Sequence, residues 1–325
     1  MSTNDANLYE KPTLKTFKGC CPGYRHYYAL IDCASNDGLY PAITQSSCDS
    51  STLFWAKVGE ELKAASPYIV ELQEGSFSNW LFEETWGKSW GIFLASNKPM
   101  PDLVRHFRRI AKVRGPNYEN WYFRYCDPRF LGALLPTCDL TQLNKIMGDI
   151  GVFWMQADEP SFSRRYRRMG SELEVRTSNG TGAEVDLYIT DLNKHPESSG
   201  LGMKIRPDQR DLLAKVSADA YVRRMVKLFK RRYTKKLQPL SDNELFERFE
   251  AAIKQAQSIG AIIRQDAFFF LNICVLYGWD FMDNKSLAWI RSDYLENRNF
   301  GSLSRRLEAL YYYCRSQPIM EEVLA

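Results

Sequence analysis

Short apolar runs alternate with amphipathic stretches through the first half of the chain. Tyr27–Asp32 and Tyr68–Leu72 read as strands, and Trp90–Leu94 as a short buried strand of aromatic and branched residues. Trp80, Leu81 and Glu84 are spaced for one helical turn, which predicts a helix over Phe77–Trp86. Leu103, Phe107 and Ile110 then make the i, i+4, i+7 stripe of an amphipathic helix. Phe54–Ala64 suits either a short strand or a helix. This alternation predicts an α/β domain over residues 24–157, a central sheet flanked by helices, behind an N-terminal extension of residues 1–23.

One segment of that domain combines pattern with charge. Trp121, Phe123 and Tyr125 alternate with Tyr122, Arg124 and Cys126, which predicts a half-buried aromatic strand. Asp127 is placed to cap a following helix, and Pro128 to occupy its first turn, where a missing N–H costs nothing. Phe130, Leu131, Leu134 and Leu135 supply the apolar face and Pro136 ends the run. Arg124 and Arg129 flank Asp127 closely enough to pair with it. Charges inside an apolar segment need partners, because a lone buried charge is very costly. Two readings stay open: a structural brace at the strand-to-helix turn, or a site where Arg124 or Arg129 meets a ligand or partner anion.

Beyond residue 157 the pattern changes. Glu172–Arg176 and Glu184–Ile189 alternate like strands around Asn179-Gly180-Thr181-Gly182, a strong hairpin signal. Ser163–Arg168 is basic and polar, and His195–Gly200 reads as a loop, so residues 158–206 are expected to be a connector carrying one β-hairpin. From Pro207 to the end a small helical lobe is predicted. Val222, Val226, Phe229 and Tyr233 form an apolar stripe, with Arg224, Lys227, Arg231 and Lys235 as a basic stripe beside it. Ser241-Asp242-Asn243-Glu244 is a capping box leading into Leu245, Phe249, Ala252 and Ala256. Further helices are expected after Arg264, ending at Gly278, and over Ser302–Cys314.

Charge adds a local contrast. The net charge of the 325 residues is only +4, but residues 204–236 hold 12 basic and 3 acidic side chains while residues 1–160 are net −2. The eight cysteines are scattered, form no C-x-x-C pair and fit a reducing cytosol better than a disulfide scaffold; a redox or metal role for the adjacent Cys20 and Cys21 stays open. Met1–Lys18 lacks the apolar core of a signal peptide, and the run from Ala267 to Tyr277 is too short to span a bilayer. The expectation is a soluble cytoplasmic protein with no membrane insertion.

Several blocks taken together resemble a known family. Tyr28-Ala29-Leu30-Ile31-Asp32, Ser66–Leu72, Gly87–Ser96, Leu103–Arg109 and Phe123–Pro136 occur in the order of the sequence blocks of the type VI secretion effector adaptors, the Tap or Tec proteins. Within them Cys33 replaces an expected glycine and Cys126 an expected aromatic, and Gly148-Asp149-Ile150-Gly151 is loosely similar to the family's next motif. The resemblance implies an adaptor or chaperone without catalytic residues or cofactor. It would bind a cognate toxic effector, through the effector's N-terminal region, and load it onto the trimeric spike protein. Helical tails behind the adaptor domain also occur in that family.

Motifs for chemistry are scarce. Three histidines and no Cys/His cluster of zinc spacing argue against such a metal site, and there is no G-x-S-x-G elbow. Gly87-Lys88-Ser89 mimics the end of a phosphate loop, but Phe82 stands where that motif needs glycine. Cys33 or Cys126 with His106 is a conceivable thiol–imidazole pair. Two rival functions remain: a nucleic-acid-binding protein using the basic helix 223–236, with Phe229 and Tyr233 stacking on bases, or an enzyme of unfamiliar type centred on Arg124, Asp127 and Arg129. The adaptor reading takes Arg124, Asp127 and Arg129 as structural or as a partner contact. It takes Arg224, Lys227, Arg231 and Lys235 as a partner-binding surface for acidic groups, with no nucleic-acid partner.

Overall fold

The computed structural model describes residues 11–54, 59–180, 182–195 and 202–317. The chain divides into two units, Met1–Val216 and Ser217–Ala325. In the first, α1 (Leu14–Cys20) leads to β1 (His26–Asp32), α2 (Leu39–Gln45), the short strand β2 (Ser50–Thr52) and α3 (Glu60–Ala64). Next come β3 (Pro67–Glu71), α4 (Ser76–Thr85), β4 (Gly91–Ser96) and α5 (Met100–Ile110). A ribbon of β5 (Lys112–Arg114) and β6 (Asn120–Tyr122) precedes α6 (Pro128–Leu134) and α7 (Leu140–Met147). Four strands follow: β7 (Ile150–Gln156), β8 (Phe162–Met169), β9 (Glu172–Asn179) and β10 (Glu184–Asp191).

Among the described residues these strands form an eight-stranded antiparallel sheet in the order β10-β9-β8-β7-β4-β1-β3-β2. Helices cover both faces of its centre, which is why the central strands read as continuous apolar runs and all six residues of β4 are buried. Alternation sends Tyr28 and Leu30 to the face packed by Phe107 of α5, Leu131 of α6 and Ile146 of α7. Ala29 and Ile31 go to the other face, against Phe17 of α1, Leu39 of α2 and Phe82 of α4. The mixed α/β class and the sheet flanked by helices are as the sequence predicts.

Three boundaries differ. The aromatic strand expected through Cys126 stops at Tyr122, and β6 pairs only with β5 in a separate ribbon. Residues 123–126 turn instead, closed by Asp127 N–H donating to the Arg124 carbonyl at 3.1 Å, because the helix cap that follows needs a reversal there. The described part of the expected N-terminal extension, residues 11–23, contributes to the core, since Leu14 and Phe17 are buried under the sheet. Residues 158–206 are not a connector: the hairpin forms, but β8 joins Phe153 opposite Tyr166 and adds three strands to the same sheet. The predicted loop at 196–200 lies outside the described residues.

The 206/207 boundary falls inside a buried polar clasp. The Gln142 and Gln209 amides donate to each other, both at 2.9 Å, and both residues are fully buried. The Arg206 guanidinium donates to Gln142 Oε1 at 2.8 Å and to the Thr137 carbonyl at 2.7 Å. Asp139 caps α7 with a capping box to Gln142, so one glutamine serves both the helix N-terminus and the incoming chain. This satisfied network holds residues 204–209 in the first unit.

In the second unit, α8 (Pro207–Arg232), within which the division falls, is followed by α9 (Thr234–Leu237), α10 (Asp242–Ser258), α11 (Arg264–Tyr277) and α12 (Leu303–Ser316). Ser241 caps α10 through the predicted capping box. Val222, Val226, Phe229, Leu245, Phe249, Phe270 and Leu310 share its core.

Candidate functional site

Asp127 organises the strand-to-helix turn. As the N-cap of α6 it accepts the Arg129 backbone N–H at 3.0 Å, with Pro128 in the first turn as predicted. The Arg129 side chain folds back on the same carboxylate, Nε to Oδ1 at 2.9 Å and Nη2 to Oδ2 at 2.7 Å. Backbone and fork therefore grip a carboxylate that is only 2 % exposed. These hydrogen bonds raise the Arg129 pKa further above its ordinary value, against the opposing effect of burial.

Arg124 is held differently. Its Nη2 lies 3.5 Å from Asp127 Oδ2 and 3.8 Å from Asp32 Oδ2, near enough for charge attraction and beyond normal hydrogen-bond length. The guanidinium sits over the Phe130 ring, 5.3 Å from its centroid, and its side chain is 48 % exposed. Asp32 ends β1 and accepts from Ser35 Oγ at 3.2 Å. Sequence reasoning missed Asp32 and the stacking role of Phe130; the one signal was that Asp32 closes a polar end on an otherwise apolar strand. Arg124 thus presents a half-open guanidinium at a charge-balanced cluster, beside the exposed Tyr122. Arginine beside aromatic rings is the composition of an interaction hot spot.

Burial raises the pKa of both neighbouring thiols. Burial, then Asp32, pushes the Cys33 thiol up to about 12. Cys126 is pushed well above its ordinary value by burial first, then by Asp32 and Cys33. His106 is committed elsewhere, Nε2–H donating to the Ile146 carbonyl at 2.8 Å, so the imagined thiol–imidazole pair is not assembled. The block that follows is explained by close approach. A Cβ on Gly148, at φ +51°, would lie 2.7 Å from the His106 ring, and one on Gly151 would lie 2.0 Å from the Tyr24 ring.

The basic stripe of the second unit is also corrected in part. Arg224, Lys227 and Arg231 lie on one face of α8, all exposed and without an ion pair among the described residues. Helix α8 stops at Arg232, however, and Lys235 belongs to α9, so the expected helix 223–236 is broken at Tyr233. The other cations of the run are engaged: Lys230 pairs with Asp242 at 2.6 Å, Arg223 covers Phe246 and Arg232 donates to the Tyr311 hydroxyl. Phe229 and Tyr233 are fully buried, and the Tyr233 hydroxyl donates to Asn272 Oδ1, so neither ring is free to stack on a base.

Among the described residues no group of three or more His, Cys, Asp or Glu is placed to hold a metal ion, and no helix is long and apolar enough to cross a membrane. No curated protein and no solved structure matches the chain. Residues 27–145, from β1 through most of α7 and including the Asp32–Arg124–Asp127–Arg129 cluster, match the model of a family described as a domain of unknown function, DUF4123.

Proposed function

We propose that the protein is a cytoplasmic adaptor of a type VI secretion system, which binds a cognate effector and loads it onto the trimeric spike. The observation that carries this reading is the DUF4123 match over residues 27–145, the same stretch whose ordered blocks resemble the type VI effector adaptors. Its work is recognition, which needs a stable scaffold and accessible side chains more than reactive groups. Two surfaces supply such side chains. In the first unit Arg124 offers a half-exposed guanidinium over Phe130, next to Arg129 forked on Asp127. In the second, Arg224, Lys227 and Arg231 offer an exposed basic face of α8 for acidic groups on a partner, with the exposed Lys235 on α9 beyond it.

The test is co-purification with the effector and spike encoded beside it, each expressed with and without this protein. A stable complex with the effector, and recruitment of effector to spike only when the adaptor is present, is the expected result. Failure to bind either partner at physiological salt overturns the reading.

A further inference from the structure

The two edges of the large sheet are finished in different ways. On one side β2 is three residues long and polar, and Arg108 Nη2 covers its Thr52 carbonyl at 2.9 Å. Shortness and charge are ordinary protections against edge-to-edge pairing. On the other side β10 runs for eight residues, pairs only with β9, and has no lysine, arginine or proline. Its outer backbone groups have no strand partner among the described residues. Leu187 and Ile189 are 42 % and 55 % exposed, and Tyr188 is 38 % exposed.

Besides the carboxylates Glu184, Asp186 and Asp191, β10 is protected by a bulge between Glu184 and Asp186, which confines the regular pleat to Asp186–Asp191. That run is self-complementary. In an antiparallel pairing of two copies centred on Tyr188, Leu187 of each faces Ile189 of the other. The two Tyr188 rings meet on the axis, and Asp186 lies opposite Thr190. No like charges oppose one another. Centring on Leu187 instead would oppose Tyr188 to Asp186 and bring Ile189 against the bulge. The face bearing Leu187 and Ile189 also carries Arg176, whose charge is already met by Glu174 and Glu184, so the pairing buries no new unmatched cation.

We propose that β10 is a homodimerisation strand, joining two copies of this chain through antiparallel β10–β10 pairing about a two-fold axis at Tyr188. The interface is isologous, closes on itself and leaves no free edge at that side of the sheet.

Sedimentation velocity on the full chain over a concentration series tests this. The expected species has twice the 37.7 kDa of one chain. Ile189→Lys should weaken the dimer by about 10- to 100-fold, because each dimer loses two buried isoleucines and gains two charges. Its circular dichroism should stay unchanged, as should its melting at dilutions where both proteins are monomers, since Ile189 is exposed in one chain. Register is read separately by cysteine substitution. Tyr188→Cys should form an intermolecular disulfide under mild oxidation, its two-fold partner lying about 4.5–5.5 Å away between Cα atoms. Leu187→Cys should give no more cross-linking than the unsubstituted chain. A monomer throughout the series overturns the proposal, as does a dimer indifferent to Ile189→Lys or one in which the two cysteine variants cross-link alike.

Discussion

Phe17 stacks on Trp154 with ring centroids 4.9 Å apart and planes within 10° of parallel. The contact joins helix α1 to strand β7 and lies at the centre of the cluster that includes Phe82, Phe93 and Trp86. Arg165 of β8 secures the end of α1, its Nη1 donating to the Cys20 carbonyl at 2.6 Å. Phe17→Ala should therefore destabilise the first unit by about 3–5 kcal/mol, the range for removing a fully buried phenylalanine. Chemical denaturation followed by tryptophan fluorescence measures it; a loss within a few tenths would mean that α1 is dispensable to the core.

The cluster at α6 separates scaffold from contact. Asp127→Ala removes a helix cap and leaves the Arg129 fork without its carboxylate, and should cost about 1–3 kcal/mol. Arg124→Ala removes a half-exposed side chain with no short hydrogen bond, and should cost at most about 1 kcal/mol. On the proposed function Arg124→Ala nevertheless weakens partner capture at unchanged melting temperature. If binding falls only in variants that also melt early, the cluster is a brace alone.

How much of this was legible follows the range of the interactions. The cap at Asp127, the capping box at Ser241 and the stripe Leu103, Phe107, Ile110 are local, and each forms where its spacing places it. Strand β8 escaped notice because its arginines outnumber its apolar residues. Only the fold shows that Tyr166 enters the core while Arg165 meets Glu174. Burial works to raise the Glu174 pKa, yet hydrogen bonds from Arg176 and Arg165 hold it below the usual carboxylate value. Asp32 was likewise invisible as a partner of Arg124, since the two lie on segments far apart in the chain. Helix α1 was hidden by the polar residues around Phe17.

The buried clasp predicts a second point of fragility. Arg206→Ala would remove one charged donor each from Gln142 Oε1 and the Thr137 carbonyl, both of which keep their bonds from the Gln209 amide. The expected cost is about 1–3 kcal/mol, more than for an exposed arginine, because two charge-assisted hydrogen bonds are lost from a network closed to water. Limited proteolysis near residues 204–209 should accelerate in parallel. Unchanged protection there would show that the clasp does not hold this segment.

His106 gives a pH dependence of known sign. Burial is the main cause lowering its pKa, outweighing the hydrogen bond to Ile146 and the charge of Asp149, with Arg109 lowering it slightly. The folded state therefore takes up its proton less readily than the unfolded chain. Its contribution is complete above the ordinary imidazole value of 6.5 and is lost as pH falls towards the lowered folded-state value. Urea midpoints of the parent and His106→Gln measured across that interval should converge as pH falls. Parallel pH profiles would place the dependence on other groups.

The exposed cations of the second unit supply a test in which stability and recognition move apart. Arg224, Lys227 and Arg231 point from one face of α8 and have no ion pair among the described residues, so reversing them to glutamate breaks no ion pair there. Stability should stay within about 0.5 kcal/mol per site, as for other surface changes, and relief of the local positive charge works in the same direction. If this face receives an acidic partner, the triple reversal should slow association and flatten the salt dependence of binding, since steering by charge acts mainly on the on-rate. Kinetics at low and physiological salt with the parent and the reversed protein read this directly. Equal rates and equal salt slopes would leave the basic face without a role in capture and move the contact to the Arg124 surface.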